Sequence, residues 1–155
     1  MIPAYWKQAT QELAECDEVM HKLIQRFAGA TLRSHGDAFT TLARSIIGQQ
    51  ISIKAAESVW QKLVVAVPAI TPDAVLGTDS SVLRACGLSL RKVTYLQDLS
   101  RHFISGILSE AAWEEADDEA LIAELMQVKG IGRWTAEMFL IFHMLRPNVL
   151  PLDDL

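Results

Sequence analysis

Two glycines and a tryptophan follow one another closely near the end of this 155-residue chain, in VKGIGRWTAEMFLIF from Val128 to Phe142. Gly130 and Gly132 allow positive φ angles and let another molecule approach the backbone closely. Because an apolar pattern of helical spacing begins near Arg133, the glycines lie directly before a helix N-terminus, where free backbone N–H groups can bind an anion. The stretch therefore predicts an anion-binding turn between two helices.

The two common phosphate-binding motifs do not account for this turn. The chain contains no GxxxxGK[ST] sequence, and GIGRWT lacks both the third glycine and the preceding strand of a dinucleotide-binding fold. An ordinary helical hairpin, whose glycines serve only the turn, is an alternative that the motif alone leaves open.

The helix after the turn carries large apolar residues at helical spacing: Trp134, Met138, Ile141, Phe142 and Leu145. This spacing is typical of a stripe that packs into a core, and the later residues fit that interpretation. Trp134 lies in the first turn beside the glycines, where a large ring can instead face a cleft.

The elements that would position these residues are all helices. Segments of helical periodicity are separated by Gly, Pro and capping residues, and no convincing period-two alternation occurs. The pattern predicts an all-α fold of about eight helices. They cover residues 3–27, 38–47 and 53–67, then a helix starting at Pro72, one ended by Gly87, one ended by Gly106, one from Asp117 to about Gln127, and one from Arg133.

Length and composition are those of one domain with a real core, or of two small lobes, because half of the 155 residues are apolar. No apolar run approaches the roughly 18 residues of a membrane span, and the first residues do not resemble a signal peptide. We therefore expect a soluble cytoplasmic protein.

Charge alone neither supports nor excludes a nucleic-acid partner. The formal net charge is −5, but seven acidic residues and no basic ones lie between Glu110 and Glu124. Outside this segment 12 acidic residues stand against 14 Lys and Arg, which allows a local positive face.

No metal or disulfide framework is indicated. Cys16 and Cys86 lie far apart without a CxxC spacing or a nearby histidine, so we predict two buried free thiols and neither a zinc site nor an iron–sulfur cluster.

Three motifs together resemble a known family. LMQVKGIGRWTA resembles the helix-hairpin-helix of base-excision DNA glycosylases, and PLDD resembles the Gly/Pro-rich loop that carries the aspartate of that superfamily. DAFTTLARSIIGQQISIKAAESVWQKL and CGLSLRKVTYLQDLS are similar to two signatures of one branch, the 3-methyladenine DNA glycosylase II family of alkylation repair. The likeness covers roughly Asp37 to Leu155 in the order that the family has.

The resemblance implies a two-lobed helical glycosylase fold. Residues 1–35 would form the N-terminal helix of the terminal lobe, and residues 36–155 a helical core with the helix-hairpin-helix at about 118–146 and the start of the aspartate loop. Family members continue beyond the position of Leu155, so the resemblance implies that the C-terminal helices are missing. We expect the 155-residue chain alone to be inactive, with an exposed apolar face on its first helix, and the full-length protein to be a monomer.

The family's catalytic aspartate matches Asp154, with Asp153 as the nearest competing assignment; a simple helix cap is the alternative for both. Breaking an N-glycosidic bond leaves positive charge on the sugar, which a carboxylate stabilises. By resemblance Trp134 lines the base pocket and Met138 borders it. Related bifunctional enzymes carry a lysine at the position of Trp134, so the resemblance implies base removal without strand cleavage at the abasic site.

The resemblance also implies the contacts to damaged double-stranded DNA. Gln49 and Gln50 lie in the tight turn GQQIS, and the family places at Gln50 the side chain that fills the gap left by a flipped nucleotide. The phosphate contacts match Lys129, Gly130, Gly132 and Arg133. A sodium or potassium ion can be held in the family on carbonyls that match Met126, Val128 and Ile131, and no other cofactor is expected.

The implied function is a monofunctional DNA glycosylase for alkylated purines, with 3-methyladenine as the first candidate and 7-methylguanine as the second, in a nucleoid-associated, bacterial-type setting. One alternative is a helix-hairpin-helix protein that binds DNA without catalysis, which a pocket pairing Trp134 with an acid would argue against. Another is a helical scaffold whose glycines are only turns.

Overall fold

The protein is all-α, as the sequence predicted. The structure, a computed structural model, describes residues 2–34 and 36–154, so Met1, Leu155 and His35, which ends the predicted N-terminal region, lie outside the described residues. In these ranges ten helices and no strand occur. The helices are α1 (Trp6–Cys16), α2 (Glu18–Arg26), α3 (Ala38–Gly48), α4 (Ile53–Ala66), α5 (Pro72–Gly77), α6 (Ser80–Ala85), α7 (Leu90–Ile104), α8 (Glu110–Trp113), α9 (Asp118–Leu125) and α10 (Arg133–Phe142).

Side-chain caps set most helix starts. Asp37, Ser52 and Thr71 each accept a hydrogen bond from the backbone N–H three residues later, at the starts of α3, α4 and α5. Ser89 and Asp117 do the same for α7 and α9. Each cap satisfies an N–H group that has no partner inside its helix, so these starts are encoded locally.

The predicted single opening helix over residues 3–27 is wrong. Asp17 is extended, with φ −143° and ψ 126°, and its side chain accepts a hydrogen bond from the Met20 amide at 2.7 Å. Asp17 thus ends α1 and caps α2, because its carboxylate offers the backbone an alternative to the helical hydrogen bond.

The acidic segment contains a short helix that the sequence did not predict. Within α8, Trp113 is fully buried and donates from Nε1 to Glu124 Oε1 at 2.6 Å. The helix that follows, α9, ends at Leu125 and not at Gln127. Burial of one tryptophan therefore organises the start of the acidic segment.

The core lies around α3 and α7. α3 contacts α4, α7 and α10, and α7 also contacts α5 and α6. Edge-to-face aromatic contacts run from Phe39 through Phe103 and Trp113 to Phe139 and join α3, α7, α8 and α10. This packing fixes α10, which carries the predicted pocket residues, against α3 and α9.

The N-terminal hairpin exposes apolar side chains, as expected. α1 packs on α2, while Leu13 is 47% and Leu23 42% exposed. Val19 and Phe27 are exposed as well. A hydrogen bond from Trp6 Nε1 to the Ala30 carbonyl at 3.3 Å ties the start of α1 to the segment that follows α2.

The prediction of two buried thiols is half wrong, because Cys16 is exposed on α1 while Cys86 is buried. None of the helices within residues 2–34 and 36–154 has the length and apolar character that crossing a membrane requires.

Candidate active site

The turn of the hairpin, residues 126–132, is anchored by two apolar side chains. Val128 and Ile131 are buried at 1% and 5% exposure, and the Ile131 amide donates to the Val128 carbonyl at 3.1 Å. The residues between them are therefore pushed toward the surface. This gives the turn a fixed shape before α10 begins at Arg133.

Gly130 is required by the fold for two reasons. Its φ is +88°, a conformation that side chains with a Cβ rarely adopt, and a Cβ added there would lie 2.2 Å from Cδ2 of Tyr95 on α7. The turn therefore rests directly on the Tyr95 ring. No other residue type fits without moving one of the two.

Gly132 differs from Gly130, because it does not adopt the positive φ that a glycine allows. Its φ is −93°, and a Cβ added there would meet no atom within 4 Å. It is the N-cap of α10 and provides no side-chain cap. The fold does not need a glycine here. The first backbone N–H groups of α10 have no partner within the helix, and the exposed Gly132 places no side chain over them.

Charge near the turn is more balanced than the sequence suggested. Lys129 is exposed, and its backbone N–H donates to Asp98 Oδ2 at 2.9 Å. Arg133 forms an ion pair with Glu119 on α9. It forms a second one with the buried Glu137 on α10, where Arg133 Nε lies 3.0 Å from Glu137 Oε1. The hydrogen bond to Glu119 is the main cause that raises the pKa of Arg133, and the same bond lowers the pKa of Glu119. Arg133 therefore brings little net positive charge to the turn.

The tight turn between α3 and α4, residues 49–52, approaches the hairpin. Gln49 Nε2 donates to the Gly130 carbonyl at 2.7 Å, so this predicted DNA-contacting side chain is half-buried and engaged inside the protein. Gln50 is exposed and has a φ of +59°. That conformation costs a residue with a Cβ about 1–2 kcal/mol, so the surrounding contacts must hold it.

Three α7 residues to which the sequence assigned no role join these two turns. Tyr95 lies under Gly130, Asp98 accepts from the Lys129 amide, and Lys92 Nζ donates to the carbonyls of Ile47 and Gln49. Burial lowers the pKa of Lys92. All three lie in CGLSLRKVTYLQDLS, a stretch that resembles a family signature but in which no spacing distinguishes a supporting side chain from a surface one.

The predicted pocket residues meet at the first turn of α10. Trp134 is 45% exposed, and its Nε1 donates to Asp154 Oδ1 at 3.1 Å. Met138, one turn further on, is half-buried on the same helix. Asp153 and Asp154 are both exposed, and Asp154 is the one that accepts the hydrogen bond of the indole. The arrangement places a carboxylate at the edge of an accessible aromatic ring.

The three carbonyls predicted for a monovalent cation belong to the turn itself. The Val128 carbonyl already accepts the Ile131 amide, and a carbonyl has two lone pairs, so this bond leaves one for a cation. Met126 is exposed while Val128 and Ile131 are buried. The donor set is of the oxygen type that such ions bind, and the cation stays a prediction.

Comparison with known proteins decides the family. A model of the HhH-GPD superfamily of base excision DNA repair proteins matches residues 43–155. The chain belongs to this superfamily. The matched region includes α4 to α10, both turns and the Trp134–Asp154 pair.

Individual relatives and solved structures agree with this family assignment. DNA-3-methyladenine glycosylase 1 of Schizosaccharomyces pombe is 34% identical over 142 residues, which cover 86% of this chain and 60% of the relative. The structure of a 3-methyladenine DNA glycosylase from the same yeast in complex with abasic DNA matches with a TM-score of 0.79 and 31% identity, over 96% of this chain and 75% of that one. The structure of a DNA-3-methyladenine glycosidase from Bacillus halodurans matches with a TM-score of 0.83 and 32% identity, over 94% of this chain and 69% of that one.

The likeness therefore covers nearly the whole of this chain but only part of the other proteins. The chain spans 60% of the length of the first yeast relative. The fold class and the helix-hairpin-helix are confirmed, while the roles of individual site residues stay predictions.

Replacing Gly130 by alanine is expected to destabilise the fold. The added Cβ combines a positive φ with a clash against Tyr95, so the free energy of unfolding should fall by about 2 to 4 kcal/mol. Urea unfolding followed by circular dichroism measures it. Gly132→Ala is the matched control and should cost less than about 1 kcal/mol, because only the helix cap changes. Equal losses in the two variants would show that the Tyr95 contact does not constrain the turn.

Proposed function

We propose that this protein is a DNA glycosylase that hydrolyses the N-glycosidic bond of alkylated purines, with 3-methyladenine as the first candidate, in double-stranded DNA. The observation that carries this proposal is the hydrogen bond between Trp134 Nε1 and Asp154 Oδ1, directly beside the hairpin turn. The names of the yeast and Bacillus relatives point to the same chemistry.

The pair suits the reaction because it combines an anion with an aromatic face. As the bond to the base breaks, positive charge develops on the sugar, and the Asp154 carboxylate would stabilise that charge and orient a water molecule. An alkylated purine such as 3-methyladenine is itself cationic, and the face of Trp134 attracts a cationic ring. The indole N–H bond to the carboxylate would keep both groups directed at the same nucleotide.

A DNA-binding module without catalysis is the alternative. Such a module needs the hairpin turn but has no need of a carboxylate held at the edge of an exposed indole. The Trp134–Asp154 pair therefore favours the enzyme. A merely structural role for both glycines is disfavoured as well, because the fold does not require Gly132.

The hairpin would hold the DNA through its backbone. The net charge is −5 and Arg133 is paired to two acids, so this guanidinium has little free positive charge to offer a phosphate. The open N–H groups around Gly132 at the start of α10 offer it hydrogen bonds and the positive end of a helix dipole. Lys129 is exposed in the turn, and the exposed Arg91 lines a hollow together with Gly130.

Gly132→Ala is expected to weaken DNA binding while the protein stays folded. A methyl group over the open N–H groups would hinder a phosphate, and a lost charge-assisted hydrogen bond is worth about tenfold in affinity. Fluorescence anisotropy with a labelled duplex measures this. Gly77→Ala is the matched control, since a Cβ added at Gly77 would also meet open space and Gly77 lies on α5, away from the site. Unchanged affinity in Gly132→Ala would remove the turn from the DNA contacts.

Asp154→Asn is expected to lose base release and to keep DNA binding. Without the carboxylate the developing charge on the sugar has no fixed anion, so release should fall by at least about a hundredfold. Release of methylated purines from methylated duplex DNA is measured for the chain alone and for the chain continued by the C-terminal segment of the yeast relative. Asp153→Asn is the matched control and should retain activity. The reverse result would make Asp153 catalytic, and absence of release from both forms would contradict the proposed activity.

Strand cleavage is not part of the proposed reaction. The position where related lyases carry an amine is Trp134, which cannot form a Schiff base with the sugar. We therefore expect the product strand to stay intact at the abasic site until alkali is added. Borohydride present during the reaction should trap no covalent protein–DNA adduct, and a trapped adduct would contradict this expectation.

Gln50 is the side chain proposed to fill the gap left by the flipped nucleotide. It lies exposed at the tip of the turn after α3, and its amide can hydrogen-bond the base left without a partner. Gln49 is engaged with Gly130 and would act by fixing the turn. A sodium or potassium ion on the carbonyls of the hairpin turn is kept as a proposal, in which the ion would add positive charge where the phosphate binds.

A further inference from the structure

We propose that Lys92 is a positioning residue that holds Gln50 in the conformation needed to enter the duplex and thereby makes binding selective for a missing or flipped base. The inference rests on the proposed function, because it assigns to Lys92 a role in the DNA contact of the same site. Lys92 itself lies beneath the turn and is not proposed to touch DNA.

The ammonium group of Lys92 caps the end of α3. Its Nζ lies 2.6 Å from the Ile47 carbonyl oxygen and 2.8 Å from the Gln49 carbonyl oxygen. Carbonyls at a helix C-terminus lack partners within the helix and form the negative end of its dipole, so a cation placed there is doubly favourable. A side chain from α7 thus determines how the chain leaves α3.

This contact acts directly on the backbone of Gln50. The Gln49 carbonyl belongs to the peptide group that precedes Gln50, so a bond to that oxygen fixes one side of the Gln50 φ rotation. On the other side, the Ile51 amide donates to the Gly48 carbonyl at 3.4 Å. The two bonds together hold a φ of +59° that glutamine adopts rarely.

The turn between α3 and α4 borders open space. Two hollows of about 260 and 280 Å³ lie around it, and Gln49, Gln50 and Lys92 line both. Besides Lys92, two bonds of Gln49 hold the turn: its N–H donates to the Ile46 carbonyl at 3.3 Å, and its Nε2 donates to the Gly130 carbonyl at 2.7 Å. The backbone of Gln49 is therefore bound to α7 and its side chain to the hairpin. These two contacts set the distance between Gln50, the side chain proposed to fill the gap in the duplex, and the proposed phosphate site at the hairpin.

Removal of the ammonium group tests the proposal. Lys92→Met keeps the length and apolar stem of the side chain but cannot donate, and Lys62→Met on the exposed face of α4 makes the same change in charge. Binding of each variant to an abasic-site duplex and to the same undamaged duplex is measured by anisotropy. In Lys92→Met the preference for the abasic duplex should fall about tenfold with little change on undamaged DNA, while Lys62→Met should match wild type. Retention of the preference in Lys92→Met would overturn the proposal.

A double mutant separates positioning from general damage to the fold. If Lys92 acts through Gln50, the effects of Lys92→Met and Gln50→Ala on the abasic preference will not add, and the double mutant will resemble Gln50→Ala alone. Additive losses would show that Lys92 acts elsewhere. Lys92→Arg retains charge and donors and should restore most of the preference; a loss as large as in Lys92→Met would also count against the proposal.

Hydrogen exchange keeps the inference separate from the proposed function. In the free protein, the amides of residues 50–52 should exchange faster in Lys92→Met than in wild type. Their exchange rates should be unchanged in Lys62→Met. If exchange is faster in Lys92→Met but the wild type does not prefer the abasic duplex, Lys92 still positions the turn. Gln50 would then be rejected as the side chain that fills the gap. Unchanged exchange in Lys92→Met would overturn the role of Lys92 whatever the protein binds.

Discussion

The contact of Gly130 with the ring of Tyr95 is the constraint on which the rest of the site depends. It allows the hairpin turn to lie directly on α7. In this position the Lys129 amide donates to Asp98 on α7, and the Gln49 side chain donates to the Gly130 carbonyl. A side chain larger than hydrogen at residue 130 would lift the turn from α7 and separate these groups. The α7 helix thus acts as the common support of two surface turns that are far apart in sequence.

The electrostatics of the site differ from those of a DNA-binding protein that relies on clustered lysines and arginines. The acidic segment supplies Glu119, which pairs with Arg133, and the buried Glu137 takes a second bond from the same guanidinium. These pairs orient the first turn of α10, but they also cancel its positive side chain. Recognition of a phosphate by this hairpin would therefore rest on backbone N–H groups and on close approach, with a modest dependence on salt.

Local signals explain which parts of the fold are predictable. Caps such as Asp37, Ser52 and Thr71 act within three residues of a helix start, so their positions can be read along the chain. The break at Asp17 escapes sequence reasoning because helical periodicity continues on both sides of it, and only the backbone geometry shows that its side chain caps α2. The α8 helix escapes it because its single apolar anchor, Trp113, is stabilised by burial against other helices.

By itself the sequence determined the helical class and the hairpin, because residue types and short spacings carry that information. It allowed Trp134 to face a cleft at its helix start, and the resemblance of its motifs to a family implied the two candidate aspartates. The tertiary structure alone decided how these residues are used: Gln49 points inward, Arg133 is neutralised, and Asp154 is the carboxylate at the indole. These outcomes depend on packing between helices distant along the chain. Lys92 lies 43 residues from Gln49, and Gln49 lies 81 residues from Gly130. No local pattern encodes such a contact, since it is set by the close packing of the core that brings α3, α7 and the hairpin together.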